Sequence, residues 1–114
     1  AAWKQFLDAA SGMGLRLALT EFDVSERGTP SDIPDRDRQI AALARRYLDF
    51  MFAYRNLDYV MAWGMMDHYS WLQVFSGKRP DGMLKRPTPY DDNYQPKPLR
   101  QAIAEAFRNA PKRA

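Results

Sequence analysis

The sequence predicts an α/β fold of parallel βαβ units that is incomplete by itself. Two apolar, β-rich segments, Leu15 to Val24 and Leu57 to Trp63, are separated and flanked by segments whose apolar residues recur at helical spacing. The order along the chain is helix, strand, helix, strand, long loop, helix. Strands alternating with amphipathic helices indicate a parallel sheet, with ligand residues gathered at the carboxyl ends of the strands. Two strands cannot cover three helical faces, and a (β/α)8 barrel takes about 250 residues. The 114 residues therefore read as the carboxyl-terminal third of such a barrel, about its last two βα units with a preceding helix.

Each element has its own justification. Trp3, Phe6, Leu7 and Ala10 fall on one helical stripe, which Gly12 or Gly14 would end in a left-handed conformation. Along the first strand, alternation places Leu17, Leu19, Glu21 and Asp23 on one face and Ala18, Thr20, Phe22 and Val24 on the other. Two carboxylates among leucines repel each other and lose hydration, so stability alone gives no reason to place them there. The loop from Ser25 to Pro34 carries the breakers Gly28, Pro30 and Pro34. A second helix runs from about Asp35 to Arg55, with Ile40, Leu43, Tyr47, Phe50, Met51 and Tyr54 as its apolar stripe and Asp35 or Asp37 near its amino end. The second strand ends near Trp63-Gly64.

From Met65 to Pro96 there is no periodicity, and a loop of that length in a compact domain is functional or disordered. Its start, with Asp67, His68, Tyr69, Trp71 and Phe75, is aromatic enough to predict packing rather than disorder. Turn signals follow at Gly77, Pro80-Asp81-Gly82 and Pro87 to Pro89. Pro98 suits the first turn of a last helix with Leu99, Ala102, Ile103, Ala106 and Phe107 inward, ahead of a frayed basic end.

Composition excludes several classes. Lys and Arg number 17 against 14 Asp and Glu, a formal charge of +3. Arg36, Arg38, Arg45, Arg46 and Arg55 interleave with acids and apolar residues and read as a solvated helix face, so no nucleic-acid partner is predicted. The absence of cysteine removes disulfides and thiolate metal sites. No apolar run approaches the roughly 20 residues of a membrane span. The chain opens Ala1-Ala2-Trp3-Lys4, inside what reads as a helix, which resembles an internal cut rather than a signal peptide. Neither a metal nor a cofactor is predicted.

Chemistry concentrates at the strand ends. Glu21 and Asp23 close the first strand, and Trp63, Asp67 and Trp71 follow the second over the same opening. Two carboxylates alone fit a nucleophile, a structural pair on backbone amides, or metal ligands. They do not fit an acid and a nucleophile acting together, because residues two apart on a strand lie roughly 6 to 7 Å apart on one wall. His68 reads as a surface residue, Met61, Met65 and Met66 as gap-filling core, and Asp67, Asp91 and Asn93 as loop-fixing groups.

Three motifs carry a resemblance. Leu19-Thr20-Glu21-Phe22-Asp23-Val24 is similar to the nucleophile strand of glycoside hydrolase family 10, the endo-β-1,4-xylanases. Trp63-Gly64-Met65-Met66-Asp67-His68-Tyr69-Ser70-Trp71-Leu72 resembles that family's eighth-strand motif, and Tyr90-Asp91-Asp92-Asn93-Tyr94-Gln95-Pro96-Lys97-Pro98 the segment leading into its last helix. The resemblance spans residues 1–114 as one piece of a catalytic barrel. It implies a retaining hydrolase of internal β-1,4-xylosidic bonds in xylan, with Glu21 as nucleophile and Asp23 orienting a histidine from an earlier strand. Trp63 and Trp71 would line the sugar subsite beside the cleavage point, since indoles offer flat apolar area to sugar C–H faces. The acid/base glutamate would come from missing amino-terminal barrel segments, so the isolated chain is expected to be inactive, with exposed sheet edges prone to association. Family habit places the parent outside the cytoplasm, secreted or periplasmic. The competing expectation is a non-catalytic carbohydrate-binding or scaffold piece using Trp63 and Trp71.

Overall fold

Local chemistry sets the boundaries of the first elements in the computed structural model, which describes residues 1–75 and 77–113. Helix α1 covers Ala2–Gly12 and ends where Gly14, at φ 78°, turns the chain. Strand β1 is Leu17–Phe22 and β2 is Leu57–Ala62, paired in parallel. Between them α2 spans Ile33–Phe52, starting two residues and ending three residues earlier than its periodicity indicates. Asp32 caps it by accepting the Asp35 N–H at 3.1 Å. Pro34, expected as a breaker, sits in the first turn, where its missing N–H costs nothing.

The long loop is not structureless. A single 3₁₀ turn at Asp67–Tyr69 and the short helix α3, Leu72–Phe75, build its first part, with Ser70 and Leu72 buried. Helix α4, Pro98–Asn109, then packs against α2. The core lies between the sheet and these helices: Leu7, Leu48, Met51, Phe52, Leu57 and Ala106 form one cluster, and Val24, Ile40, Ala44 and Leu99 the second.

Several expectations change on packing. The inward stripe of α2 is Ile40, Ala44, Leu48 and Met51, whereas Leu43 is 44 % exposed. Leu43 instead walls an open groove of about 510 Å³ along the free edge of β1, together with Ala44 and Tyr47. A second groove, about 270 Å³, lies along the free edge of β2 beside Ile103, Ala104 and Phe107 of α4. These two seams flank the sheet because neither edge strand has a further neighbour among the described residues. Met61 and Met65 are exposed rather than core. Arg36, read as solvated, is fully buried against Glu26. The basic end is tied down, since the Arg113 guanidinium donates to the carbonyls of Phe52 and Tyr54.

The most consequential difference concerns the faces of β1. Leu17 and Leu19 pack on the helices as alternation requires, but so do Phe22 and Val24. An irregularity in the pairing between Leu19 and Phe22 inserts one extra residue and reverses the alternation. Glu21 and Asp23 therefore leave the leucine face, and Glu21 is exposed beside Ala18 and Thr20.

Candidate functional site

The parallel pairing brings both strand ends to one side of the sheet. Phe22 lies opposite Ala62, and the Trp63 N–H donates to the Phe22 carbonyl at 2.9 Å. This sets Trp63 directly across from the Glu21–Asp23 segment. Its indole is 45 % exposed. Gly64 follows at φ 91°, a conformation costly for any residue with a Cβ, and lets the chain leave the sheet sharply after Trp63.

Trp71 meets Asp23 from the loop after β2. Its Nε1–H donates to Asp23 Oδ2 at 2.7 Å across 48 residues of sequence. Its backbone carbonyl accepts the N–H groups of Val74 and Phe75, and its ring lies against Phe75 with centroids 5.7 Å apart. Asp23 is partly buried. Desolvation pushes its carboxyl above the ordinary range, the Trp71 bond pulls it back, and the charge of Glu21 raises it further. Glu21 and Asp23 both line the groove along β1; Trp63 and Trp71 do not.

The supporting shell came from residues that periodicity does not mark. Asp67 is buried and takes no part in the opening. Its Oδ1 accepts from the Thr88 N–H at 3.0 Å, the Thr88 hydroxyl at 2.8 Å and the Lys97 ammonium at 2.9 Å, which fixes the segment entering α4. Asp91 shapes the adjoining turn by accepting the N–H groups of Asn93 and Gln95, and these bonds hold its carboxyl below the usual range. Asp67 and Asp91 thus have the loop-fixing role read from the sequence. His68 lies on the surface, its ring edge-on to Tyr69. Glu26, Arg36, Asp37 and Arg86 form a buried charge cluster beneath the loop after β1, with Arg86 gripping Asp37 through bonds of 2.7 and 2.8 Å.

Chemically, this arrangement presents one exposed carboxylate, a second held by an indole, and two partly exposed indole surfaces at a single end of a parallel sheet. Among the described residues no group of three His, Cys, Asp or Glu side chains is placed to hold a metal ion. No helix among the described residues is long and apolar enough to cross a membrane.

Comparison with known proteins agrees with this geometry. The model of glycosyl hydrolase family 10 matches residues 1–106. A thermostable celloxylanase from Thermoclostridium stercorarium is 36% identical over 106 residues, covering 86% of this chain and 26% of that protein. Among solved structures, xylanase 10B from Thermotoga maritima superposes with a TM-score of 0.73 at 26% identity, over 90% of this chain and 30% of its own. Xylanase 10B from Thermotoga petrophila RKU-1, solved in complex with xylobiose, gives 0.71 at 27% identity, over 90% and 29%. The chain thus spans between a quarter and a third of the length of these relatives, and its sheet and helices are part of their (β/α)8 barrel.

Proposed function

Because this chain belongs to glycosyl hydrolase family 10, we propose that it is one portion, residues 1–114, of a catalytic barrel that cleaves internal β-1,4-xylosidic bonds of xylan with retention of configuration. Glu21 is the nucleophile in this reading. The observation that carries it is the reversal of alternation in β1, which frees Glu21 from the helix-packed face and leaves it exposed at the carboxyl end of the strand.

In a retaining reaction the carboxylate attacks the anomeric carbon while a second carboxylic acid, about 5 to 5.5 Å away, protonates the departing glycosidic oxygen. The resulting glycosyl ester is then hydrolysed by water, which the second group deprotonates. Asp23 lies on the same wall as Glu21 and cannot flank the bond from the other side. The acid/base group therefore belongs to barrel strands outside these 114 residues, and the isolated chain does not turn over xylan. Asp23 orients a histidine from an earlier barrel strand, which in turn contacts Glu21, and Trp63 and Trp71 offer apolar faces to the sugar. Xylan and xylo-oligosaccharides are the partners in this reading, with the parent enzyme secreted or periplasmic.

The test is a complete barrel carrying this segment, assayed for reducing sugar released from xylan. Glu21→Gln is expected to lower kcat by about 10⁴-fold or more, the scale of losing a nucleophile. An unaltered rate would overturn the assignment. The 45 % and 41 % exposure of Trp63 and Trp71 also favours a second reading, a carbohydrate-binding piece without catalysis. That reading requires indole fluorescence changes with xylo-oligosaccharides that persist in Glu21→Gln, in a barrel without hydrolytic activity.

A further inference from the structure

We infer that Trp71 is a positioning residue, which through its indole N–H fixes the Asp23 carboxylate beside the nucleophile, in addition to presenting its ring to sugar. The inference rests on the reading of Glu21 given above. Three observations carry it. The bond from Nε1 to Oδ2 is short, at 2.7 Å, as expected for donation to a charged acceptor, and such bonds are about twice as strong as neutral ones. The donor is held at both ends, by the first turn of α3 through its carbonyl and by Phe75 through its ring. Finally, Oδ1 of Asp23 accepts no bond from the described residues, so within this segment the indole alone sets the rotation of the carboxyl group.

Two consequences follow from the chemistry. An indole has one N–H, and here it is committed to Asp23; Trp71 then contacts a sugar by its face and has no donor left for a hydroxyl. The link also connects the aromatic wall to the charge beside the reacting carboxylate. Among the described residues, burial and the charge of Glu21 on the same strand disfavour ionisation of Asp23, and Trp71 from the facing loop favours it. Removing the N–H takes away the favourable contribution of this segment.

The experiment uses the complete barrel. Trp71→Phe keeps an aromatic face and deletes the donor. It is expected to lower kcat about tenfold, the scale of one bond to a charged group, with KM changed by less than about twofold. The acid limb of the kcat/KM profile is expected to move to higher pH. Asp23→Asn should remove most of the same effect, so that the double variant is little worse than either single one. A raised KM with unchanged kcat and an unshifted profile would reduce Trp71 to a wall and overturn the inference.

Two measurements separate its failure from other failures. In the unaltered barrel the Trp71 indole N–H resonance should move as falling pH protonates Asp23, whose carboxyl burial holds above the ordinary range, and a flat trace overturns the contact even if the phenylalanine variant does not fold. Glu21→Gly, given azide and an aryl β-xylobioside with an activated leaving group, should form the α-glycosyl azide; absence of that product overturns the nucleophile reading on which the positioning role rests.

Discussion

Arg36 has no exposed surface and holds the Glu26 carboxylate through Nη2 at 2.7 Å and Nε at 3.2 Å. The same guanidinium donates to the Leu84 carbonyl at 2.8 Å, and Glu26 also accepts the Arg86 N–H at 2.8 Å. One buried ion pair thereby ties the loop following Glu21 and Asp23 to the segment that leads toward α4.

Breaking that pair from one side is expected to cost more than removing it. Arg36→Met leaves a carboxylate with 2 % side-chain exposure without its main cation, a loss of about 3 to 5 kcal/mol. Adding Glu26→Leu should recover part of it. Urea unfolding of the single and double variants in the complete barrel checks this, and a single variant within about 0.5 kcal/mol of the parent would contradict it.

Asp67 and Lys97 make a second buried anchor, with side chains 3 % exposed and an N–O distance of 2.9 Å. Asp67→Asn leaves the ammonium buried without its counter-charge, and the expected cost is again about 3 kcal/mol or more. Faster hydrogen exchange at the Thr88 amide, which Asp67 accepts at 3.0 Å, would locate the damage in the approach to α4. Unchanged protection there would count against the anchor.

Asp81 provides a pH test. Bonds from Arg79, then Ser31 and the Met83 N–H, hold its carboxyl well below the ordinary 3.8. A depressed carboxylate contributes stability that is present above its unfolded value and lost as pH falls through its folded one. The turn at residues 79–83 should therefore remain formed at pH 3.8 and open only in stronger acid. Carboxyl-carbon NMR of Asp81 is the measurement, and Arg79→Gln should move its midpoint up toward 3.8.

Gly64 tests the exit from β2. A Cβ there would find Thr88 Cγ2 at 3.7 Å, an ordinary contact, so space is not the obstacle; the positive φ of 91° is. Gly64→Ala is expected to destabilise by about 1 to 3 kcal/mol and to raise KM by disturbing the neighbouring indole of Trp63. Equal stability in thermal unfolding would show that the backbone relaxes.

The parts legible in the sequence were those governed by short-range pattern. Alternation and helical spacing located both strands and the three principal helices, and the start of the last helix at Pro98 came from the missing proline N–H. Glu21 and Asp23 stood out because regular alternation put two carboxylates on a face of leucines, a placement that the strand's irregularity undoes. Three things were not legible. The irregularity between Leu19 and Phe22 has no residue signature, since neither Thr20 nor Glu21 demands a special backbone. Arg36 looks solvated by periodicity, and its burial depends on Glu26, ten residues earlier, and Leu84, 48 later. The bond from Trp71 to Asp23 joins residues whose proximity exists only once the sheet and loop have formed.

The extra residue in β1 gives a single ribbon two incompatible duties. Below it, Leu17 and Leu19 contribute grease to the layer shared with α2 and α4; above it, Phe22 and Val24 continue that layer while Glu21 and Asp23 offer acid to the open mouth. Pairing the strand regularly at its present length would swing both carboxylates into that oily layer and evict Phe22 and Val24 from it, so the extra residue decides which side chains meet the mouth.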